Sequence, residues 1–141
     1  MGQKVNPVGF RTGTFMPWKS RWFSEDAGYK DALLEDIRIR GALMQRLKLA
    51  GVVRVEIERL PKSMAIILTV SRPGVVIGRG GSGLEDLKKF ILEIMKKVRG
   101  KTYGDTKIDL RVNEVKNPEI SAHLVANRIV SELERRLPHR R

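Results

Sequence analysis

Length, composition and charge narrow the function of this chain. Its 141 residues include 28 lysines and arginines against 16 acidic residues, a net charge of +12, which favours a polyanionic partner: nucleic acid first, an anionic membrane surface second. Cysteine is absent, which excludes disulfides, thiolate chemistry and sulfur-ligated metals, and no apolar run reaches the roughly 18 residues that a membrane span requires.

Residues 1–28 are predicted to form an irregular basic arm rather than a packed unit. Glycines and prolines interrupt this stretch, and basic residues are interleaved with aromatic ones. Such segments become ordered on RNA, where bases stack on planar side chains. The alternative is that the aromatic residues only pack on the domain. The predicted RNA contacts in the arm are Gln3, Lys4, Arg11, Trp18, Lys19, Arg21 and Trp22.

Residues 29–50 predict an amphipathic helix. Gly51 is expected to end this helix, and Gly41 to mark a kink or a close packing contact within it. The apolar residues that recur near helical spacing are Leu34, Ile37, Met44 and Leu47, and the stripe is widened by Leu33, Ile39 and Leu43.

Three strands are predicted C-terminal to this helix. Residues 53–58 alternate between apolar and charged side chains, as in a half-buried strand. Residues 64–70 are apolar nearly throughout, as expected for the central strand of a small sheet, and residues 107–115 return to alternation.

A glycine-rich loop follows the second strand and leads into a strongly amphipathic helix, residues 84–98. Glycines allow the backbone to approach a phosphate closely, and the spacing Gly78-x-x-Gly81 is the one by which KH domains clamp a single-stranded backbone. Ser82 and Glu85 predict a capping box, which gives Glu85 a structural role. The predicted RNA contacts here are Arg72, Gly78, Arg79, Gly80, Gly81, Lys88 and Lys89.

The last predicted helix begins at Asn117-Pro118, with Asn117 as its N-cap, and runs to residue 137. Arginines cluster after it at what is expected to be an exposed end. We predict that they contact RNA; a solubilising tail is the alternative. These arginines are Arg135, Arg136, Arg140 and Arg141.

The order of elements, with the G-x-x-G loop after the second strand, resembles a type II KH domain. The resemblance implies an α+β fold: a three-stranded mixed sheet with helices packed on one face. The domain is expected at residues 29–116, between the arm at 1–28 and the C-terminal helix and arginine-rich end at 117–141.

The resemblance extends to one KH-containing family, that of a protein in the head of the small ribosomal subunit. The similar segments are Gly-Gln-Lys-Val-Asn-Pro-Val-Gly-Phe-Arg-Thr-Gly at 2–13, Val-Glu-Ile-Glu-Arg at 55–59, Ser-Arg-Pro-Gly-Val-Val-Ile-Gly at 71–78, and Pro-Glu-Ile at 118–120 with Leu-Glu-Arg-Arg at 133–136.

The resemblance implies a structural rRNA-binding protein near the site where mRNA enters the subunit, with mRNA and neighbouring head proteins as further partners. Arg140 and Arg141 match an arginine pair that lies near incoming mRNA in that family. The family continues into a second α/β domain, which these 141 residues do not include. The polar start predicts no signal peptide and therefore a cytosolic or organelle-matrix protein, and the resemblance implies that it is located on the ribosome there.

Catalysis is the weaker interpretation. The spacing Gly78-x-Gly80-x-x-Gly83 fits a dinucleotide fingerprint, but no strand immediately precedes it and the chain is too short for a doubly wound sheet. His123 and His139 stand apart from any metal-ligand spacing. We therefore predict no enzyme activity, cofactor, metal or small-molecule substrate. No membrane partner is predicted either, because the sheet needs the apolar stripe of residues 84–98 for its core. A stand-alone KH regulator acting off the ribosome is the nearer alternative, although it has no need of the arm.

Overall fold

The computed structural model, which describes residues 2–25, 27–99 and 106–136, has a mixed arrangement of helices and strands within these ranges. The helices are α1 (Pro7–Arg11), α2 (Ala27–Arg46), α3 (Pro73–Ile77), α4 (Ser82–Arg99) and α5 (Ala122–Glu134). The strands are β1 (Ser20–Arg21), β2 (Val52–Leu60), β3 (Ser63–Val70) and β4 (Lys107–Glu114). From α2 to β4 the order is helix, strand, strand, helix, helix, strand, which confirms the predicted α+β fold of a type II KH domain.

The sheet is mixed, in the order β1-β2-β3-β4. Strands β2 and β3 are antiparallel, and β4 runs parallel to β3. The three predicted strands are therefore confirmed, with β3 between the other two. The arm adds a fourth strand, since β1 pairs in parallel with β2 and places Ser20 opposite Ile57. A two-residue strand carries no readable alternation, which is why the sequence did not predict it.

The hydrophobic core joins α2 and α4 to the sheet. Alternate residues of β3 are buried, as expected for a strand whose one face is covered. The predicted amphipathic stripe of α4 is confirmed, and Met95, which was not predicted, is also fully buried. The main core residues are Ile39, Leu43 and Leu47 near α2, Met64, Ile66, Leu68 and Val70 in β3, and Leu87, Ile91 and Met95 in α4.

The first half of α2 differs from the prediction. Leu34 and Ile37 are exposed, whereas Glu35 and Asp36 on the opposite side are completely buried. A buried carboxylate is stable only when it is paired. Here Arg59 of β2 supplies the compensating positive charge to both carboxylates.

Several observed helix ends also differ from the predicted ones. Helix α2 stops at Arg46 and a 3-10 turn, Lys48–Ala50, continues to Gly51, whose left-handed backbone confirms its predicted role. The Ser82 hydroxyl donates to the Arg79 carbonyl, so the predicted capping box with Glu85 does not form in this part of the described chain. A 3-10 turn, Pro118–Ile120, precedes α5, which therefore starts four residues later than predicted.

Candidate nucleic-acid interface

The glycine loop, residues 78–81, connects the one-turn helix α3 to α4. Gly78, Gly80 and Gly81 all have positive φ, a backbone region that residues with a Cβ adopt at a cost. At Gly80 and Gly81 an added Cβ would meet nothing within 4 Å, so this backbone borders open space. The loop thus presents bare main chain at the surface, where a ligand backbone can come close.

Close packing holds the loop in this shape. A Cβ on Gly83, in the first turn of α4, would lie 2.5 Å from the carbonyl oxygen of Val76 in α3. Only glycine permits this approach of the two helices. Val76 is buried, which anchors α3 to the core from the other side. The loop therefore projects from a fixed helix pair.

Exposed cations surround the glycine loop. Arg72, Arg79, Lys88 and Lys89 are all exposed, and none has a side-chain hydrogen bond or ion pair to another residue in the described ranges. Glu85 and Asp86 are also exposed near the start of α4 and offset part of this charge. The predicted loop contacts are thus accessible and free to pair with phosphate groups.

The second half of the arm belongs to the folded domain, contrary to the prediction that residues 1–28 do not pack. The Ile57 amide donates to the Lys19 carbonyl at 3.0 Å, which attaches β1 to β2. The Ser20 hydroxyl and the Trp22 indole N–H donate to one oxygen of Asp36, at 2.9 and 2.7 Å. The arm is therefore bonded to the same buried carboxylate that Arg59 neutralises.

A buried network around Arg59 organises this attachment. The Arg59 Nε donates to the other Asp36 oxygen at 2.8 Å, and its NH1 donates to Glu35 at 2.7 Å. Its guanidinium also lies 5.9 Å from the centre of the Trp22 ring, which packs against Tyr29. Trp22 is thus engaged by the fold through both its ring and its N–H.

Two other arginines near the arm are already paired within the chain. Arg21 contacts Glu58 at 3.2 Å and Glu56 at 3.8 Å. Arg54 donates to the Pro17 carbonyl at 2.7 Å. A guanidinium with internal partners has less to offer a phosphate, so Arg21 is a weaker candidate for RNA contact than its charge suggests.

The first half of the arm remains exposed. Asn6 caps α1, because its side-chain oxygen accepts from the amides of Val8 and Gly9. Phe15 is 89% exposed and Trp18 is 63% exposed, so both rings are accessible to a partner. The remaining predicted arm contacts, Gln3, Lys4, Arg11 and Lys19, are also exposed. Exposed aromatic and basic residues together fit a surface that covers RNA.

At the C-terminal end, Arg135 and Arg136 are exposed after α5, while Arg140 and Arg141 lie outside the described residues. The structure brings Arg135 together with Arg72, since both line one groove between α5 and the turn after α2. The sequence had placed these two arginines in separate groups.

In the described ranges, no three histidine, aspartate or glutamate residues come close enough to hold a metal ion. No described helix combines the length and apolarity needed to cross a bilayer.

Known proteins are similar to this chain, both over the KH domain and over its whole length. The KH domain family model matches residues 38–120. Over all 141 residues the chain is 45% identical to the small ribosomal subunit protein uS3 of Caldicellulosiruptor saccharolyticus, 44% to that of Persephonella marina and 45% to that of Salinibacter ruber. The chain spans 60%, 59% and 56% of the lengths of these relatives, respectively. Each of these relatives is a ribosomal protein.

Proposed function

The chain belongs to the KH domain family, and on this premise we propose that it is a structural component of the small ribosomal subunit that binds small-subunit rRNA. One observation carries the proposal: similarity to the uS3 proteins covers the whole chain, including the arm, which the KH match at 38–120 leaves out. A stand-alone KH regulator needs the domain but not this arm.

Two surfaces supply the RNA contacts in this proposal. The glycine loop takes a single-stranded backbone, with Arg72 and Arg79 as the nearest cations and Lys88 and Lys89 about two turns into α4. The exposed first half of the arm covers rRNA, since its aromatic and basic side chains have solvent on most sides.

The finer location follows from the same family resemblance. We place the protein in the subunit head, on cytoplasmic ribosomes, with neighbouring head proteins as partners. Arg140 and Arg141 would then lie near the site where mRNA enters the subunit. The net charge of +12 suits a position surrounded by phosphate groups.

Sedimentation tests this proposal. A tagged full-length chain is expressed in a bacterium, and the lysate is separated on a gradient that resolves ribosomal subunits. We expect the protein to migrate with the small subunit and to remain there after a moderate-salt wash, because many phosphate contacts act together. Protein at the top of the gradient would support the regulator instead.

A truncation separates the arm from the domain. Deleting residues 1–28 would remove Ser20 and Trp22, two donors to buried Asp36, so it would damage the domain itself. Deleting residues 2–16 removes α1, Phe10 and Phe15 but retains β1. We expect this shorter deletion to leave thermal unfolding unchanged and to lower the salt-resistant fraction at least about tenfold. Full retention on the subunit would show that the first half of the arm is dispensable.

A further inference from the structure

A groove separates α5 from the 3-10 turn Lys48–Ala50. Its volume of about 720 Å³ exceeds that of a single-ion site and falls in the range of sites for larger ligands. We call it the α5 groove. Its charged lining residues are Lys48, Arg72, Arg128, Arg135 and Glu119.

The base of the α5 groove is fixed by the backbone. Gly51 has φ of 66°, and a Cβ there would lie 2.5 Å from the Ser71 Oγ and 3.4 Å from a Leu124 methyl group of α5. The Arg72 amide donates to the Ala50 carbonyl at 3.1 Å, and the Ser71 amide donates to the Gly51 carbonyl at 3.0 Å. Arg72 is therefore held beside the turn after α2, and Leu124 brings α5 against the same point.

The charge of the α5 groove is strongly positive. Four cationic side chains line it against one acidic side chain, Glu119. Arg128 pairs with Glu132 one turn along α5 at 3.2 Å, but both side chains are about half exposed or more, so this pair is weak. Lys48, Arg72 and Arg135 have no side-chain partner in the ranges that the structure describes.

Apolar surface lies between these charges. Leu49 is 83% exposed and Val125 is 40% exposed, and both line the groove. Single-stranded RNA combines phosphate charge with unstacked base faces, so it complements cations beside exposed apolar side chains. Duplex RNA hides its base faces and suits this lining less well.

The α5 groove and the glycine loop lie at the two ends of one short helix. Arg72 precedes α3 and Gly78 follows it, and the five residues of α3 span about 7.5 Å. We infer that the α5 groove holds the continuation of an RNA strand whose neighbouring nucleotides lie on the glycine loop. This inference rests on the proposed RNA binding and extends it to a second contact surface of the same strand.

Oligonucleotide length tests the inference. A G-x-x-G loop clamps about four nucleotides, so fluorescence anisotropy is measured with labelled oligouridines of about four and about eight nucleotides. The groove variant is Arg128→Ala/Arg135→Ala. The control is Lys96→Ala/Lys97→Ala, which removes the same charge from exposed positions on α4. The control also corrects for the extra registers that a longer strand offers.

We expect the groove variant to bind the longer strand about tenfold more weakly than the control does, with the shorter strand changed less than about twofold. The slope of log affinity against log salt for the longer strand should fall by about 1.4, since about two phosphate contacts are lost. Circular dichroism checks that α5 remains helical, as expected because alanine favours helices.

Three results would overturn the inference: equal binding of the longer strand by the groove variant and the control, an equal loss for both strand lengths, or unchanged RNA binding together with lost subunit association. The last would show that another component of the subunit, and not a single RNA strand, occupies the groove. Because the readout uses defined oligonucleotides, it is independent of sedimentation. A chain that stays at the top of the gradient can therefore still pass this test.

Discussion

Two basic regions of this molecule differ in whether their arginines have partners within the chain. Around β1, the side chains of Arg21, Arg54 and Arg59 are all bonded to carboxylates or carbonyls of the chain itself. Around the glycine loop and the α5 groove, Arg72 and Arg79 have no side-chain partner in the described ranges. In the sequence, residues 17–23 and residues 72–81 each contain two cations and no acidic residue.

The difference shows that the number of arginines in a region does not equal the number available to bind RNA phosphates. The partners of the β1 region come from distant parts of the chain: Arg59 is 24 residues from Glu35, and Arg21 is 37 residues from Glu58. Only folding brings them together. The cations near β1 therefore have a structural role, and we propose that those near the glycine loop bind RNA.

The most severe test of this comparison is Arg59→Ala. It leaves Glu35 and Asp36 buried without their main cation, and we expect the free energy of unfolding to fall by about 3–5 kcal/mol. Denaturant unfolding followed by circular dichroism measures it. In the exposed control, Arg111→Ala, the loss should stay below about 1 kcal/mol. Similar losses for both variants would contradict the structural role of Arg59.

The converse test changes the glycine loop. We expect Arg79→Asp/Gly80→Asp to weaken binding to single-stranded RNA at least about tenfold, since charge-assisted contacts to phosphate are replaced by repulsion. The stability loss should be about 1 kcal/mol at most, because Asp tolerates left-handed backbone better than most residues.

The matched control for the loop variant is Lys96→Asp/Lys97→Ala, which changes net charge equally. These lysines lie about 21 Å along α4 from its start. Fluorescence anisotropy compares the two variants. If both lose the same affinity, overall charge and not the loop governs binding.

The smallest expected effect tests how β1 is attached. Trp22→Phe removes one donor to Asp36 but retains an aromatic ring, and we expect a loss of about 1–2 kcal/mol. Hydrogen exchange of the Ile57 amide reports on the attachment directly, because this amide donates to Lys19. Its exchange should accelerate more than that of core amides in β3. Unchanged protection of Ile57 would mean that backbone pairing alone holds β1.

Single glycine and Asn-Pro positions in the sequence differed in how well they predicted the local structure. Gly51 ended its element as predicted, with φ of 66°, because a left-handed residue after a helix strongly favours glycine. Asn-Pro occurs twice, and the two outcomes differ: Asn6 caps α1, whereas Asn117 precedes a 3-10 turn and forms no side-chain cap there. Gly41 was predicted to mark a kink or close contact, yet a Cβ there would meet nothing within 4 Å in the continuous helix α2.

The sequence by itself determined the order of elements, the three main strands and the glycine loop, because alternation, helical spacing and glycine backbone preferences act between near neighbours. Tertiary structure alone decided that Glu35 and Asp36 are buried, that β1 joins the sheet, and that Arg72 and Arg135 share a groove. Each of these depends on pairing between residues far apart in the chain. The free energy of a charged group is set by the partners that folding places beside it, and local patterns do not record them.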